Sequence, residues 1–311
     1  MIQLEGVSKI YKNSTSRAVD SVSFEVNDHE ILGFVGLNGA GKTTAIKIAA
    51  GVLNQSSGRV LLDHVDMRED RNFALRNIGW VPEFPNFDPL LKASQVMRYY
   101  CGLYGLSSRE SRLKSEDILQ RVGLGEDMNG RLSSYSQGMK KRFLLGCAMI
   151  MDPKNYLMDE TLNGLDPEGI RDVKMFILNA KNRGGSVLLS SHILSAVEEL
   201  ADRVAIIHKG KILSVLSRSD IASTGKPVLN VEVVGNPEKA TELLRDFGDV
   251  QVTENKIKVI QSNSTIMSPD EALKLLYDSG VKVLGFSVSR EKLEDLFFEI
   301  IGEDKKANSN A

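Results

Sequence analysis

The sequence contains only two cysteines, Cys101 and Cys147, in 311 residues. They lie far apart without a metal-type spacing, which argues against a disulfide framework and predicts a reducing interior. Long apolar runs are also missing, because the longest, Phe143 to Met151, has nine residues. A helix needs about 20 residues to cross a bilayer, and the N-terminus has no signal-peptide core. Any membrane role is therefore expected to come through a partner chain.

A strong excess of charge is absent as well. The chain has 39 Lys and Arg against 41 Asp and Glu, a net charge of −2. Nucleic-acid binding normally needs a positive surface that neutralises phosphates. The balance therefore predicts that nucleic acid is not a partner.

Strand-like and helix-like segments alternate over the first 220 residues. Short apolar runs predict strands at 2–7, 22–26, 31–35, 60–62, 78–81, 155–158, 186–190, 203–207 and 211–215. Helical periodicity predicts helices at 42–50 and 168–182 and is found throughout the stretch from about 84 to 154. We interpret residues 1–220 as an α/β domain with a helical subdomain inserted at about 84–154.

A polar, turn-rich stretch at 217–227 predicts a linker to a second domain at 226–302. The predicted order there is strand, helix, strand, strand, helix, strand, with one added helix at 290–301. This βαββαβ order is typical of a small ferredoxin-like α+β unit. The polar end, residues 303–311, predicts a disordered tail.

The most specific motif is GLNGAGKTT, residues 36–44, directly after the apolar run ILGFV. Glycines let the backbone turn so that its N–H groups surround phosphate oxygens. Lys42 can reach the outer phosphates and the Thr43 hydroxyl can ligate Mg²⁺. The alternative is a glycine-rich turn that happens to carry a lysine. The predicted phosphate contacts are Gly36, Leu37, Asn38, Gly39, Ala40, Gly41, Lys42, Thr43 and Thr44.

Acidic and histidine side chains follow two later strands. Asp159 and Glu160 end the run at 155–158, and His192 follows the run at 186–190. Beside a phosphate loop, Asp159 can hold Mg²⁺ and Glu160 can polarise a water for attack on the γ-phosphate. A solvated strand end is the alternative for the carboxylates, and a structural or surface residue is the alternative for His192.

A second helix start, SSYSQGMKKR at 133–142, precedes an apolar run and can hold an anion on its free N–H groups. Together with the phosphate loop, Asp159-Glu160, NGLD at 163–166 and His192, it follows the order and spacing of ABC ATPases. The sequence resembles that family over roughly residues 1–220. The segment KLEDLFFEIIG near the end resembles the extension found in ATPases that drive two-component ABC exporters.

The resemblance implies a P-loop NTPase core of ABC type with an antiparallel β subdomain. It also implies that two heads, expected to be identical, close around two Mg-ATP molecules. Ser136 and Gly138 would face the γ-phosphate held by the partner, and Asp166 would contact across the dimer. Tyr11 would stack on adenine, although an aromatic residue there can also be simple packing. Glu83 would stand near the γ-phosphate and Mg²⁺.

The same resemblance assigns the chemistry of hydrolysis. Glu160 would be the general base, His192 would orient it, and Lys42 would stabilise the developing charge. The opening and closing of the two heads would be passed to separate membrane-spanning permease chains. The protein would therefore lie on the cytoplasmic face of the cell membrane. The cargo would be chosen by those chains.

The motifs depart from the usual family pattern at a few positions. The signature reads YSQGM instead of Leu-Ser-Gly-Gly-Gln, so Gln137 and Met139 are unusual. Glu83 replaces a usual glutamine, Thr161 replaces a usual proline, and Asn155 is polar inside an apolar strand. None of these changes removes a group that phosphoryl transfer requires.

Other functional classes remain as alternatives. A soluble ABC ATPase of chromosomes or ribosomes would carry long coiled coils or two linked heads, and neither pattern is found. A GTPase or a small-molecule kinase would share only the phosphate loop. No Asn-Lys-x-Asp motif is found, and such proteins lack YSQGM. A regulatory module that binds ATP without turnover stays open at this stage.

Overall fold

The computed structural model describes residues 1–12, 14–84, 87–261 and 268–309. The chain divides into two compact units, Met1–Val215 and Leu216–Ala311. Among the described residues, no helix combines the length and the apolar character needed to cross a membrane.

The N-terminal unit carries ten strands and seven α-helices in its described residues. The strands are β1 Ile2–Ile10, β2 Arg17–Val26, β3 Glu30–Val35, β4 Ser57–Leu62, β5 Val65–Asp66, β6 Ile78–Val81, β7 Asn155–Met158, β8 Ser186–Ser190, β9 Arg203–His208 and β10 Lys211–Ser217. The helices are α1 Lys42–Ala49, α2 Arg71–Arg76, α3 Ala93–Leu103, α4 Ser108–Arg121, α5 Gln137–Ala148, α6 Pro167–Asn182 and α7 Leu194–Leu200. Every predicted strand of this region is present, while β5 and α2 lie outside the predicted segments.

Six strands form one sheet in the order β10-β9-β3-β8-β7-β6. From β9 to β6 in this order, each strand pairs with its neighbour in parallel. All six residues of β3 are buried, as expected for a strand covered on both faces of a parallel sheet. The carboxyl ends of β3, β7 and β8 meet at one edge of the sheet, where α/β proteins bind their ligands.

A second, antiparallel sheet has the order β2-β1-β4-β5. It shares an apolar core with the parallel sheet and with helix α1. Phe24 from β2 contacts Phe34 from β3 with ring centroids 5.3 Å apart. Ile46 and Ile48 of α1 are fully buried in the same core. The start of α1 is therefore held between the two sheets.

Helices α3, α4 and α5 lie between β6 and β7, as the predicted helical insertion requires. They enclose a core of their own, in which Met97, Ile118, Leu132 and Phe143 are fully buried. Gly146 permits the close packing of α5, because a Cβ at that position would lie 2.9 Å from Ile118 Cγ2. The insertion thus has an apolar centre separate from that of the two sheets.

Asn155, the polar residue in strand β7, bridges the two sheets. It is fully buried, and its Nδ2 donates to Asp63 Oδ2 over 3.0 Å. Asp63 lies in the turn between β4 and β5, where its φ is 48°. A buried polar group is stable only when it is hydrogen-bonded, and this contact explains why the apolar strand starts with an amide.

Replacing Asn155 by leucine should lower the free energy of unfolding by about 1–3 kcal/mol, because Asp63 would lose a buried donor. Urea denaturation measures this change. Asn182, exposed at the end of α6, provides the control, and its change to leucine should stay within about 0.5 kcal/mol. Equal unfolding free energies for both variants would contradict the structural role of Asn155.

The C-terminal unit contains helices α8 Arg218–Thr224, α9 Glu238–Leu244, α10 Pro269–Asp278 and α11 Leu293–Ser309. Its strands are β11 Pro227–Val233, β12 Gly248–Thr253, β13 Lys256–Gln261 and β14 Val283–Arg290. They form one antiparallel sheet in the order β12-β13-β11-β14. Apolar residues of this sheet form a core with α9 and α10.

The structure differs from the sequence-based expectation at two places in this unit. The stretch 217–227, expected to be an irregular linker, contains α8. Ser217 and Asp220 cap that helix reciprocally, with N–H to oxygen distances of 3.1 Å and 2.7 Å. Helix α11 also continues to Ser309, where a disordered tail was expected from 303 onward. Residues 310–311 of the expected tail lie outside the described residues.

Candidate functional site

The phosphate loop connects strand β3 to helix α1. Gly39 and Gly41 have φ angles of 77° and 109°, which side chains other than glycine rarely adopt. A Cβ on Gly41 would lie 2.4 Å from Ala18 O, and one on Gly36 would lie 2.4 Å from Ile207 O. The glycines therefore let the loop pass close to neighbouring backbone while its N–H groups remain available to an anion.

Lys42 is the first residue of α1, and its side chain turns back across the loop. Its Nζ donates to Gly36 O over 2.7 Å and lies 3.3 Å from Glu160 Oε1. The residue is only 6% exposed. A buried ammonium group beside the N-terminus of a helix fits the triphosphate of ATP, whose charge it can neutralise.

Asp159 follows strand β7 and faces the hydroxyl groups of two neighbouring segments. Thr43 Oγ1 donates to Asp159 Oδ1 over 3.2 Å, and Ser190 Oγ donates to the same oxygen over 2.9 Å. Burial raises the pKa of Asp159 above its ordinary value, while these two hydrogen bonds act in the opposite direction. A threonine hydroxyl beside a buried carboxylate supplies the oxygen ligands that Mg²⁺ prefers.

Glu160 is buried and is held by several donors. Its Oε2 accepts from Asn163 Nδ2 over 2.8 Å and from the main-chain N–H of His192 over 3.1 Å. Its own main-chain N–H donates to Ser190 Oγ over 3.0 Å. The φ of Glu160 is 47°, an unfavourable conformation for a residue with a side chain. Such conformations are found where the surrounding structure fixes a functional group.

His192 stands beside Glu160 at the open side of the site. Its Nδ1 lies 3.1 Å from Glu160 Oε2 and 3.1 Å from Asn163 Nδ2. The His192 side chain is 57% exposed, so it can meet a ligand from solvent while contacting the carboxylate. This arrangement can orient Glu160 toward a water molecule.

Apart from Asp159, which lies behind Thr43 through their hydrogen bond, these side chains line one groove of about 400 Å³, which we call the nucleotide groove. Its walls include Ala18, Asn38, Gly39, Ala40, Gly41, Lys42, Thr43, Thr44, Glu83, Glu160, Asn163 and His192. Burial, followed by the charges of Asp159 and Glu160, raises the pKa of Glu83. Tyr11 lies beside the start of α1, with its hydroxyl 3.3 Å from Thr44 Oγ1 and its ring partly exposed. Most of the predicted nucleotide contacts therefore converge.

Ser136, Gly138 and Asp166 form a second cluster. Ser136 caps α5 by accepting from the Met139 N–H over 3.2 Å, and Asp166 caps α6 by accepting from the Gly169 N–H over 2.9 Å. A Cβ on Gly138 would have Ser136 Oγ and Asp166 Oδ1 as its nearest neighbours, at 3.9 Å and 4.0 Å. None of the three is among the described residues that line the nucleotide groove.

Asn163, Ser190 and Lys141 contact the predicted site residues but were not predicted. Asn163 lies in the quoted NGLD motif, and Ser190 lies two residues before His192. Lys141 follows the quoted YSQGM motif, and its Nζ donates to Glu83 O over 3.0 Å. The motifs mark the right segments, but the contacts join residues distant in sequence and leave no local pattern.

Comparison with known proteins identifies the family. The family model described as ABC transporter matches residues 19–163. The bacitracin transport ATP-binding protein BcrA of Bacillus licheniformis is 30% identical over 97% of both chains. The linearmycin resistance ATP-binding protein LnrL of Bacillus subtilis (strain 168) is 28% identical over 97% of this chain and 98% of its own.

The fold also has a close counterpart among solved structures. The dimeric post-hydrolysis state of the ATP-binding cassette MJ0796, bound to ADP and Pi, matches with a TM-score of 0.64. The match covers 70% of this chain and 99% of that chain at 21% identity, so it shows the fold. Together with the full-length relatives, it confirms the resemblance seen in the motifs. The chain thus belongs to the ABC transporter family, as an ATP-binding subunit that hydrolyses ATP to power transport.

Proposed function

We propose that two identical copies of this chain close around two ATP molecules and drive a separate membrane-spanning exporter. The observation that carries this proposal is the separation of two clusters. The nucleotide groove contains Lys42, Glu160 and His192, whereas Ser136 and Gly138 lie outside it. A site that needs both clusters requires a second copy.

The second cluster has the properties of an anion site that faces outward. Ser136 is exposed at the start of α5, a helix of 12 residues. Helix N-termini attract anions through their free N–H groups and their dipole. Gly138 has no Cβ that could obstruct an approaching phosphate. The related cassette fold with ADP and Pi is dimeric, which supports the same assembly here.

In this proposal, each side chain of the nucleotide groove has one role. The loop N–H groups and Lys42 bind the phosphates and stabilise charge as the γ-phosphoryl group transfers. Glu160 accepts the proton of the attacking water, while Asn163 and His192 hold its carboxylate in place. Tyr11 stacks on the adenine. Tight placement of the water relative to the phosphate supplies much of the rate.

Thr43 and Asp159 would hold Mg²⁺, and Glu83, which lines the same groove as Thr43, would supply a further oxygen ligand. The hydroxyl and carboxylate oxygens of the first two residues already face each other at 3.2 Å. When bound, the ion neutralises charge on the phosphate oxygens. The unusual Glu83 still offers an oxygen in place of the family's glutamine.

The helical insertion offers a surface for the membrane-spanning chains. Several large apolar side chains are exposed before and along α3: Phe84, Leu90, Leu91, Tyr99 and Leu103. We call this set the α3 patch. Large apolar side chains exposed near one another in the sequence favour a protein interface. Binding there would place the protein on the cytoplasmic face of the membrane.

The C-terminal unit is proposed to be ferredoxin-like and to support the dimer. Its βαββαβ order and its strand order β12-β13-β11-β14 support that topology. We keep the predicted domain limits, 1–220 and 226–302, as a proposal; the compact unit Leu216–Ala311 also includes α8 and the end of α11. The names of two relatives, a bacitracin transport and a linearmycin resistance ATP-binding protein, favour export of a toxic compound of that kind.

Hydrolysis by the purified protein should need Mg²⁺, and its specific activity should rise with protein concentration, because two copies build each site. Phosphate release measured over a dilution series, with sedimentation analysis of the same samples, tests this expectation. EDTA should abolish the activity. A specific activity that is constant while the protein is monomeric would contradict the proposed pair of heads.

A further inference from the structure

Lys141 is a buried lysine on α5 that the proposed mechanism leaves unused. Lysine is rarely buried, because its ammonium group loses hydration. Here the residue is only 7% exposed. Its neighbour Lys140, on the same helix, is partly exposed. The difference indicates that the position of Lys141 serves a specific contact.

That contact is the main-chain carbonyl of Glu83, which accepts from Lys141 Nζ over 3.0 Å. Glu83 comes two residues after β6, where the chain leaves the parallel sheet toward the helical insertion. Lys141 lies five residues after Ser136, the cap of the same helix. One hydrogen bond therefore joins the wall of the nucleotide groove to the helix that begins at Ser136.

Lys141 borders a second cavity, which has both acidic and basic side chains in its lining. This cavity of about 330 Å³ is lined by Lys141, Glu83, Glu160 and Asn163, among others. Burial lowers the pKa of Lys141, and the charges of Glu83, Asp159 and Glu160 oppose that change. The hydrogen bond to the Glu83 carbonyl offsets part of the cost of burying the ammonium group.

We propose that Lys141 is a positioning residue for ATP hydrolysis. It fixes Glu83, which lines the nucleotide groove of the same chain, relative to the start of α5, which completes the groove of the partner. This inference rests on the proposed pair of heads. In that pair, a shift of α5 on approaching the partner's ATP would be transmitted directly to Glu83. The two ATP sites would then be coupled through a bond within each chain.

The test replaces Lys141 by methionine, which has a similar length but no donor. We expect kcat to fall about 10²-fold, because small displacements in an active site cost that much. ATP binding to the groove, measured with a fluorescent ATP analogue, should stay within about twofold, since the loop contacts are untouched. Lys274→Met makes the same chemical change at an exposed position of α10 and should keep the parent kcat.

A double variant separates positioning from simple charge balance. Because Lys141 bonds the main chain of Glu83, the loss caused by Lys141→Met should persist in a Glu83→Gln background. Disappearance of the loss there would overturn the proposal, since the carboxylate charge alone would then explain it. Lys141→Arg, which keeps a cationic donor, should recover most of the rate.

Three further outcomes are decisive. Parent kcat in Lys141→Met would overturn the inference while leaving the proposed function intact. A parent protein whose specific activity does not depend on concentration would instead overturn the proposed function. If Lys141→Met fails to bind the ATP analogue, the residue is structural and the positioning role is wrong; binding at parent affinity with slow turnover supports it.

Discussion

Replacing Glu160 by glutamine should slow ATP hydrolysis by about 10²- to 10⁴-fold, the usual contribution of a general base. Glutamine has nearly the same shape and keeps an oxygen for the donors at Asn163 and His192. It cannot accept the proton of the attacking water. Binding of ATP should be largely intact, because the phosphate loop is unchanged.

The same variant should accumulate as an ATP-bound dimer, since hydrolysis is the step that releases the two heads. Size-exclusion chromatography with ATP and Mg²⁺ would show this species directly. The matched control is Glu69→Gln at an exposed position, which should elute and hydrolyse ATP like the parent. Hydrolysis by Glu160→Gln at the parent rate would rule out the role assigned to Glu160.

The second large effect is expected at Gly138. Within its own chain an added Cβ would lie 3.9 Å from Ser136 Oγ and 4.0 Å from Asp166 Oδ1, so Gly138→Asp should fold. In the proposed dimer, however, its carboxylate would face the phosphates held by the partner. Repulsion between this carboxylate and the phosphates, at a helix start that otherwise offers only N–H donors, should reduce hydrolysis by about 10²- to 10³-fold.

Dimer formation gives a second measure of the Gly138 change. Introduced into the Glu160→Gln protein, Gly138→Asp should remove the ATP-dependent dimer peak while ATP still binds to the monomer. Gly302→Asp is the control, because a Cβ at Gly302 has nothing within 4 Å. A dimer peak as strong as that of Glu160→Gln alone would show that Gly138 does not face the partner's nucleotide.

The phosphate loop could be predicted in full from the sequence, because its glycines, lysine and threonine must be adjacent in the chain. Asp159 and Glu160 could be placed as well, since they end a buried strand. Contacts such as Ser190 to Asp159 depend on how two strands align, and 31 residues separate the partners. No local periodicity reports such a contact.

Helix α8 shows a different kind of failure. Ser217 and Asp220, at the start of this helix, form a complete capping box. Six of its seven residues are polar or small, and they gave the segment the composition of a linker. Helix formation there depends on the cap and on burial of Ile221, and composition alone does not capture either effect.

The separate apolar centre of the helical insertion has a consequence for how such exporters diversify. Substitutions on the α3 patch touch side chains directed to solvent, so they need not disturb the packing that fixes Lys42 and Glu160. If the α3 patch binds the membrane-spanning chains as proposed, one ATPase site can serve different exporters through changes confined to this surface. New cargo specificity would then arise while the residues that hydrolyse ATP stay unchanged.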